Sequence, residues 1–165
     1  MEILPESWPQ KARDSQKQNR ESLKKFASVQ GNIKQLNQFH DEAFEQIHCL
    51  TCANCCKTLG PRFKTTDITR IARHLRMKES QFIETYLKVD EDADYVAKSL
   101  PCPFLDAENF CSIYSVRPGD CKNYPYTDSD IFYKKPHLSA LNAQSCPAAY
   151  VVLERIKEVI AKKKG

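Results

Sequence analysis

The sequence predicts a mainly α protein with a small irregular or β cysteine-rich middle, folded as a single domain. Three observations predict it. Apolar residues recur at helical spacing toward both ends of the chain. Prolines and short aromatic runs concentrate between those ends and break the periodicity. All eight cysteines lie between Cys49 and Cys146, so neither flanking segment contains one. At 165 residues the chain falls in the range of one domain.

Residues 1–20 are polar, carry Pro5 and Pro9, and are expected to be loosely ordered. Residues 21–48 read as an amphipathic helix. Leu23, Phe26, Val29, Ile33, Leu36, Ala43 and Ile47 recur at steps of three and four, with Gly31 weakening the helix locally. This stripe suits packing on the rest of the domain, with a helix–helix seam as the alternative.

The middle, residues 49–147, opens with "HCLTCANCC" at 48–56 and turns at Leu59-Gly60-Pro61. "TTDITRIARHLRMKESQFIETYLK" then predicts two short helices separated near Met77 to Ser80, with Thr66 as N-cap and Asp67 in the first turn. From Tyr95 to Tyr133, four prolines interrupt any helix, and "NFCSIYSV" and "DIFYKK" suggest small strands or irregular loops. Pro147 suits the first residue of a helix. Residues 148–165 follow as a C-terminal amphipathic helix and basic tail, with Ala149, Val152, Leu153, Ile156, Val159 and Ile160 on its apolar face.

Composition excludes several function classes. With four glycines, none clustered, the chain lacks the backbone that cradles a phosphate or a dinucleotide. A net charge of +4 is too mild to announce nucleic-acid binding. No apolar run reaches the roughly 20 residues of a membrane helix, so no membrane partner is expected. The N-terminal stretch lacks the basic start and apolar core of a signal peptide, so a cytoplasmic location is expected. Thiols stay reduced there, and crowded cysteines point to metal or redox chemistry; an exported chain would instead suggest four disulfides.

Two intervening residues let a loop turn both sulfurs onto one metal, and Cys49, Cys52 and Cys55 repeat that step. Thiolate is a soft donor that selects zinc, copper(I) or iron–sulfur clusters. A zinc ribbon recruits two such pairs, one from each knuckle, and there is no second pair here. Three ligands from one loop with a distant Cys-Pro partner resemble a four-iron site, with Cys102-Pro103 and Cys146-Pro147 as candidate partners. An iron–sulfur cluster is therefore favoured over zinc. Lys57, Arg62, Arg117 and Lys122 lie near cysteines in sequence. Lys57 and Lys122 read as solvated charges, and Arg117 as a cation supporting the thiolates. Among the histidines, His48 adjoins Cys49 as a candidate ligand, while His40 reads as a packed side chain.

"CLTCANCC", "TTDITRIARHL", "CPFLDAENFCSIYSVRPGDCKNYP" and a closing "CP" together resemble the CxxCxxCC cysteine-cluster family, the YkgJ-type zinc- or iron-chelating domain. The resemblance implies a metal-chelating domain over 49–147. By position it implies metal-site cysteines at Cys49, Cys52, Cys55, Cys56, Cys102, Cys111, Cys121 and Cys146. Relatives usually carry Arg where this chain has Lys122, which keeps the charge but not the forked donor.

The expected function is thus metal binding, iron–sulfur or zinc, with a redox or metal-handling role. One alternative is a zinc-stabilised module for nucleic-acid or protein interaction, prompted by Arg70, Arg73, Arg76 and Lys78 on the helical pair. Another is a thiol-dependent or iron–sulfur oxidoreductase or transferase. The expected partners are a metal ion and another protein; the mild charge argues against nucleic acid. No catalytic residue and no substrate are legible.

Overall fold

A computed structural model describes residues 4–164. The chain is mainly α, with one small antiparallel sheet. Its contacts gather into two compact units, residues 49–124 forming one and residues 1–48 with 125–165 the other. The expected metal-chelating stretch 49–147 therefore contributes to both: its last residues, 125–147, fold with the terminal helices.

The helical unit holds α1 (Trp8–Asp14), α2 (Gln16–Phe26), α3 (Asn32–Phe44), α9 (Ile131–Lys134), α10 (Pro136–Asn142) and α11 (Pro147–Lys162). Helix starts at Trp8, inside the stretch expected to be loose, and the first three residues of that stretch lie outside the described residues. The reason is local. Pro9 occupies the first turn, where its missing N–H costs nothing, and straight-chain Gln, Lys and Arg residues favour helix through α2. Ala12 and Asn19 are buried there.

The expected helix over 21–48 is divided: α2 ends at Phe26, and α3 begins at Asn32 after Gly31, whose φ of +72° places it in the left-handed region. Helix α11 is the axis of the unit. Pro147 to Leu153 are all buried, after which Ile156 and Ile160 continue the inward face. Leu23, Phe26, Leu36, Phe39, Phe132 and Ala140 are also buried in this unit, and Phe26 meets Tyr133 edge-on at 5.8 Å. "DIFYKK" is helical rather than extended, because Phe132 and Tyr133 are adjacent and both buried, which a half-buried strand does not allow. His40 is packed as expected, on Phe44 and against the buried Thr127 hydroxyl at 2.8 Å.

The second unit holds α4 (Cys49–Cys52), α5 (Asn54–Thr58), β1 (Arg62–Phe63), α6 (Thr65–His74), α7 (Glu79–Tyr86), β2 (Leu87–Val89), β3 (Tyr95–Ala97), a 3-10 turn at Tyr114–Val116, and α8 (Gly119–Asn123). The sheet runs β1-β3-β2, all antiparallel, with Arg62 opposite Val96 and Val89 opposite Tyr95. The two expected short helices are present as α6 and α7. Helix α6 starts one residue before the anticipated Thr66 cap: Lys64 is the cap, and its N–H donates to the Asp67 carboxylate at 2.9 Å. Phe63, Ile68, Ile71, Phe82, Leu87, Phe104 and Ile113 form the core. "NFCSIYSV" supplies no strand beyond one bridge between Leu105 and Cys111, and then winds into the 3-10 turn.

Candidate metal centre

All eight cysteines are in the thiol state. Cys49 through Cys121, seven of them, lie in the second unit, and Cys146 lies in the helical unit.

The first four come from two single helical turns. Cys49 accepts the Ala53 N–H at 2.9 Å, closing the first turn, and Ala53 accepts from Lys57 at 3.1 Å, opening the second. Between them Ala53 takes a φ of +49° and is buried, which breaks one potential helix into a corner. The spacing Cys-x2-Cys-x2-Cys thus wraps around a left-handed residue. The Cys55 carbonyl accepts from both Leu59 and Gly60, at 2.9 and 3.1 Å, and Gly60, at φ +67°, turns the chain toward β1.

The later cysteines are delivered by three anchored loops. Cys102 donates its N–H to the Cys56 carbonyl at 2.7 Å, joining the "CPFL" segment to the cysteine corner. Two residues on, the Phe104 ring packs among Phe63, Phe82 and Tyr86. The Asp106 carboxylate then accepts from the Glu108 and Phe110 amides at 2.9 and 2.8 Å. That tight reversal returns Cys111 beside Leu105. Cys121 rides on α8, and the turn before it is held by α6. The Asp67 carboxylate accepts from Gly119 N–H at 3.1 Å, while Arg70 donates to the Val116 and Arg117 carbonyls at 3.2 and 2.9 Å.

Electrostatics tie these segments together. Burial pushes the Cys102 thiol up to about 11, and the neighbouring Cys56 and Cys111 push the same way. Burial likewise raises Cys111, and raises Cys121 further still, with Cys56, Cys102 and Cys111 adding repulsion there. Cys49 is raised by burial and by Cys52. Cys56 moves the other way, down to about 7, because the Cys55 thiol donates a hydrogen bond to it. Cys56 is therefore within electrostatic reach of Cys49, Cys102, Cys111 and Cys121, sulfurs from four different positions in the chain.

Arg117 faces the same thiols. Its charge pulls Cys49 and Cys111 down, against their burial. Its guanidinium donates to the Tyr114 carbonyl at 2.8 Å and lies over the Tyr114 ring, 4.0 Å from the centroid. Lys57 and Lys122 are exposed, while Arg62 pairs with Asp94 and Asp120 at 3.7 and 3.6 Å.

Among the described residues, no three Cys, His, Asp or Glu side chains are arranged so that they could hold a metal ion as they stand. The thiols are near enough to repel one another as thiolates but do not converge on one point. The donor set still fits a thiophilic ion. The sulfurs that perturb one another belong to one unit, and a metal is the partner that allows several buried thiols to lose their protons together.

Cys146 is buried at the N-cap of α11. Its N–H donates to Asn142 at 2.8 Å, and its carbonyl accepts from Tyr150 at 3.1 Å. Sequence reasoning missed Asp67 and Arg70 as supports of the cysteine loops. Asp67 read as a first-turn acid and Arg70 as one base on a basic helix. Nothing local in the sequence signals that support, because the partners lie about 50 residues apart.

A small α/β unit that gathers seven thiols on its short helices and loops is a cysteine-cluster domain. The chain belongs to the CxxCxxCC family, whose model, described as "Putative zinc- or iron-chelating domain", matches residues 48–147. It is also similar to a protein of Methanocaldococcus jannaschii named only as uncharacterised, at 30% identity over 83 residues. That match covers 48% of this chain and 44% of the archaeal one, so the chain spans less than half of that relative. No solved structure matches. Residues 48–147 are therefore a metal-chelating region, and no described helix is long and apolar enough to cross a membrane.

Proposed function

We propose that the protein holds an iron–sulfur cluster on the thiols of its second unit and serves a redox or metal-handling role in a reducing, cytoplasmic setting. The observation that carries this reading is the 2.7 Å backbone bond from Cys102 to Cys56, which sets the "CPFL" segment against the first cysteine cluster, in keeping with the mutual repulsion of Cys56, Cys102, Cys111 and Cys121 as thiolates. The seven thiols of the unit are all sulfur donors, and their number exceeds what one tetrahedral zinc requires. Cys49, Cys52, Cys55, Cys56, Cys102, Cys111 and Cys121 are the ligand candidates of that unit. Cys146, the closing cysteine of the family pattern, is the eighth. Arg117 offsets the negative charge that thiolate ligation gathers.

A bound cluster would supply one-electron chemistry. The chain's own residues keep all of these cysteines but the exposed Cys49 partly buried, hold their segments by backbone bonds, and set a cation near them. Nucleic-acid binding loses one of the four cations that prompted it, because Arg70 is engaged by Asp67 and by two backbone carbonyls. Another protein fits better as the partner of a redox or metal-handling domain.

The test is anaerobic purification without a metal-binding tag, followed by the visible spectrum and iron, zinc and acid-labile sulfide per chain. Broad visible absorption with matching iron and sulfide is the expected result. A colourless protein carrying one or two zinc ions would replace the cluster with a redox-inert zinc scaffold. Neither metal, with every thiol open to titration, would overturn chelation.

A further inference from the structure

We propose that Asp67 and Arg70 are positioning residues of the thiol centre: together they grip residues 116–119, so that Arg117 and Cys121 are carried to the other sulfurs in a fixed register. This inference rests on the metal-binding reading above and adds two residues to it.

The grip is made at four points. Arg70 reaches the Val116 and Arg117 carbonyls and pairs with the Asp67 carboxylate at 2.8 Å. The other face of the grip is the Gly119 N–H, which donates to Asp67. Asp67 also accepts from Lys64, so its carboxylate is fixed at the start of α6 before it touches the loop. An ordinary surface ion pair is worth little, because solvent screens it and two long side chains must be ordered. Here the Asp67 side chain is 5% exposed, and both partners bond the backbone of a distant segment.

The loop needs outside support. Pro118 has no N–H to donate, and the Arg117 N–H makes only a long bond of 3.4 Å to Tyr114. What Arg70 and Asp67 fix is the backbone on both sides of Pro118. Arg117 begins there, and Cys121 follows one turn later on α8. A lysine at position 70 would carry the charge but lacks the planar fork needed to reach two carbonyls and a carboxylate at once.

Arg70 is the residue to change, since its side chain is 42% exposed and its loss leaves no cavity. Metal-free, reduced full-length protein is titrated anaerobically with Co2+, whose thiolate-to-metal charge-transfer absorption reports how many sulfurs bind. Arg70→Ala is expected to weaken cobalt binding about 10–100-fold, the usual cost of losing an outer support of a metal ligand. Its absorption per bound cobalt should also fall, and Arg70→Lys should recover only part of the loss. In a Cys121→Ser background, Arg70→Ala should add little, because the ligand it positions is already gone.

Wild-type affinity and absorption in Arg70→Ala, or full additivity with Cys121→Ser, would overturn the positioning role while leaving the metal reading intact. A wild-type protein that takes up no cobalt at all would overturn the metal reading, and this inference with it. Asp67→Asn gives the second check: if it folds and binds cobalt like the wild type, the grip does not position the centre.

Discussion

The Phe104 ring stacks on Phe82 with centroids 5.9 Å apart and planes inclined by 12°, which binds the "CPFL" loop to helix α7. Phe104 also meets Phe63 at 6.4 Å and Tyr86 at 4.8 Å, so one ring from a cysteine loop sits at the centre of an aromatic cluster. Cys102 lies two residues before it. The packing of this ring thus also fixes where the Cys102 segment stands.

Phe104→Ala should therefore cost about 3–5 kcal/mol, the range for emptying a buried aromatic site. Urea unfolding of the reduced, metal-free protein, followed by near-ultraviolet tyrosine and phenylalanine signals, measures it. Thiol titration should show Cys102 reacting faster in the variant. A loss under 1 kcal/mol would mean that Phe104 is not central to the core.

Asp67 gives the pH dependence. Burial would raise its pKa, but the Arg70 guanidinium and the Lys64 and Gly119 amides hold it below the usual carboxylate value. A folded-state pKa below the unfolded one means stability that is present above about pH 4, the free carboxylate value, and lost as pH falls through the lower folded value. Wild-type stability should thus decline below pH 4 more steeply than that of Asp67→Asn, whose amide does not titrate. Parallel urea series at pH 6 and pH 3 test this, and equal slopes would remove Asp67 as a source of acid sensitivity.

The two turn glycines separate conformational strain from contact. Gly31 has a φ of +72° with no atom within 4 Å of an added Cβ, whereas at Gly60, φ +67°, that Cβ would stand 3.1 Å from Leu100 Cδ2. A left-handed alanine costs roughly 1–2 kcal/mol. Gly31→Ala should show that cost alone, read by thermal melting of helical circular dichroism. Gly60→Ala should show a similar cost, since the exposed Leu100 tip can move, and should additionally speed thiol reaction at Cys55 and Cys56 by shifting their turn. Identical thiol kinetics in both variants would show that Gly60 does not set the cysteine corner.

Local patterns carried much of this into the sequence. Helices α6 and α7 were legible because Ile68, Ile71, Ala72 and Leu75, and then Phe82, Ile83, Tyr86 and Leu87, form two apolar stripes at helical spacing, and α11 because Pro147 marks its start. The crowding of four cysteines into residues 49–56 was legible, though the corner they turn was not. What stayed hidden depends on residues far apart. Residues 125–147 join the terminal helices through Phe132, Tyr133 and Ala140, which are too few for a periodic signal. Asp67 looked like a helix-start acid, because its second partner, the Gly119 amide, belongs to another loop. Ala53 gave no cue, since alanine rarely adopts the left-handed turn it takes here.

Metal removal should loosen the second unit unevenly. Its hydrophobic core, built on Phe63, Ile71, Phe82, Phe104 and Ile113, holds no thiol among its fully buried members, whereas Cys102 and Cys111 pack only against its edge. Helices α6 and α7 and the sheet should keep their form. The single-turn helices α4 and α5 are held chiefly by backbone bonds, whereas the loop before Cys121 is also gripped by Asp67 and Arg70, so metal ligation would add most order at the first cysteine segment. Hydrogen exchange after anaerobic chelation should rise most at residues 49–60 and least in α6. Trp8, the chain's one tryptophan, packs on Tyr150 at 5.9 Å and reports the helical unit alone, and its emission maximum should stay in place. Exchange rising equally in α6 and at residues 49–60 would mean that the metal holds the whole unit together. No rise anywhere would mean that it orders none of it.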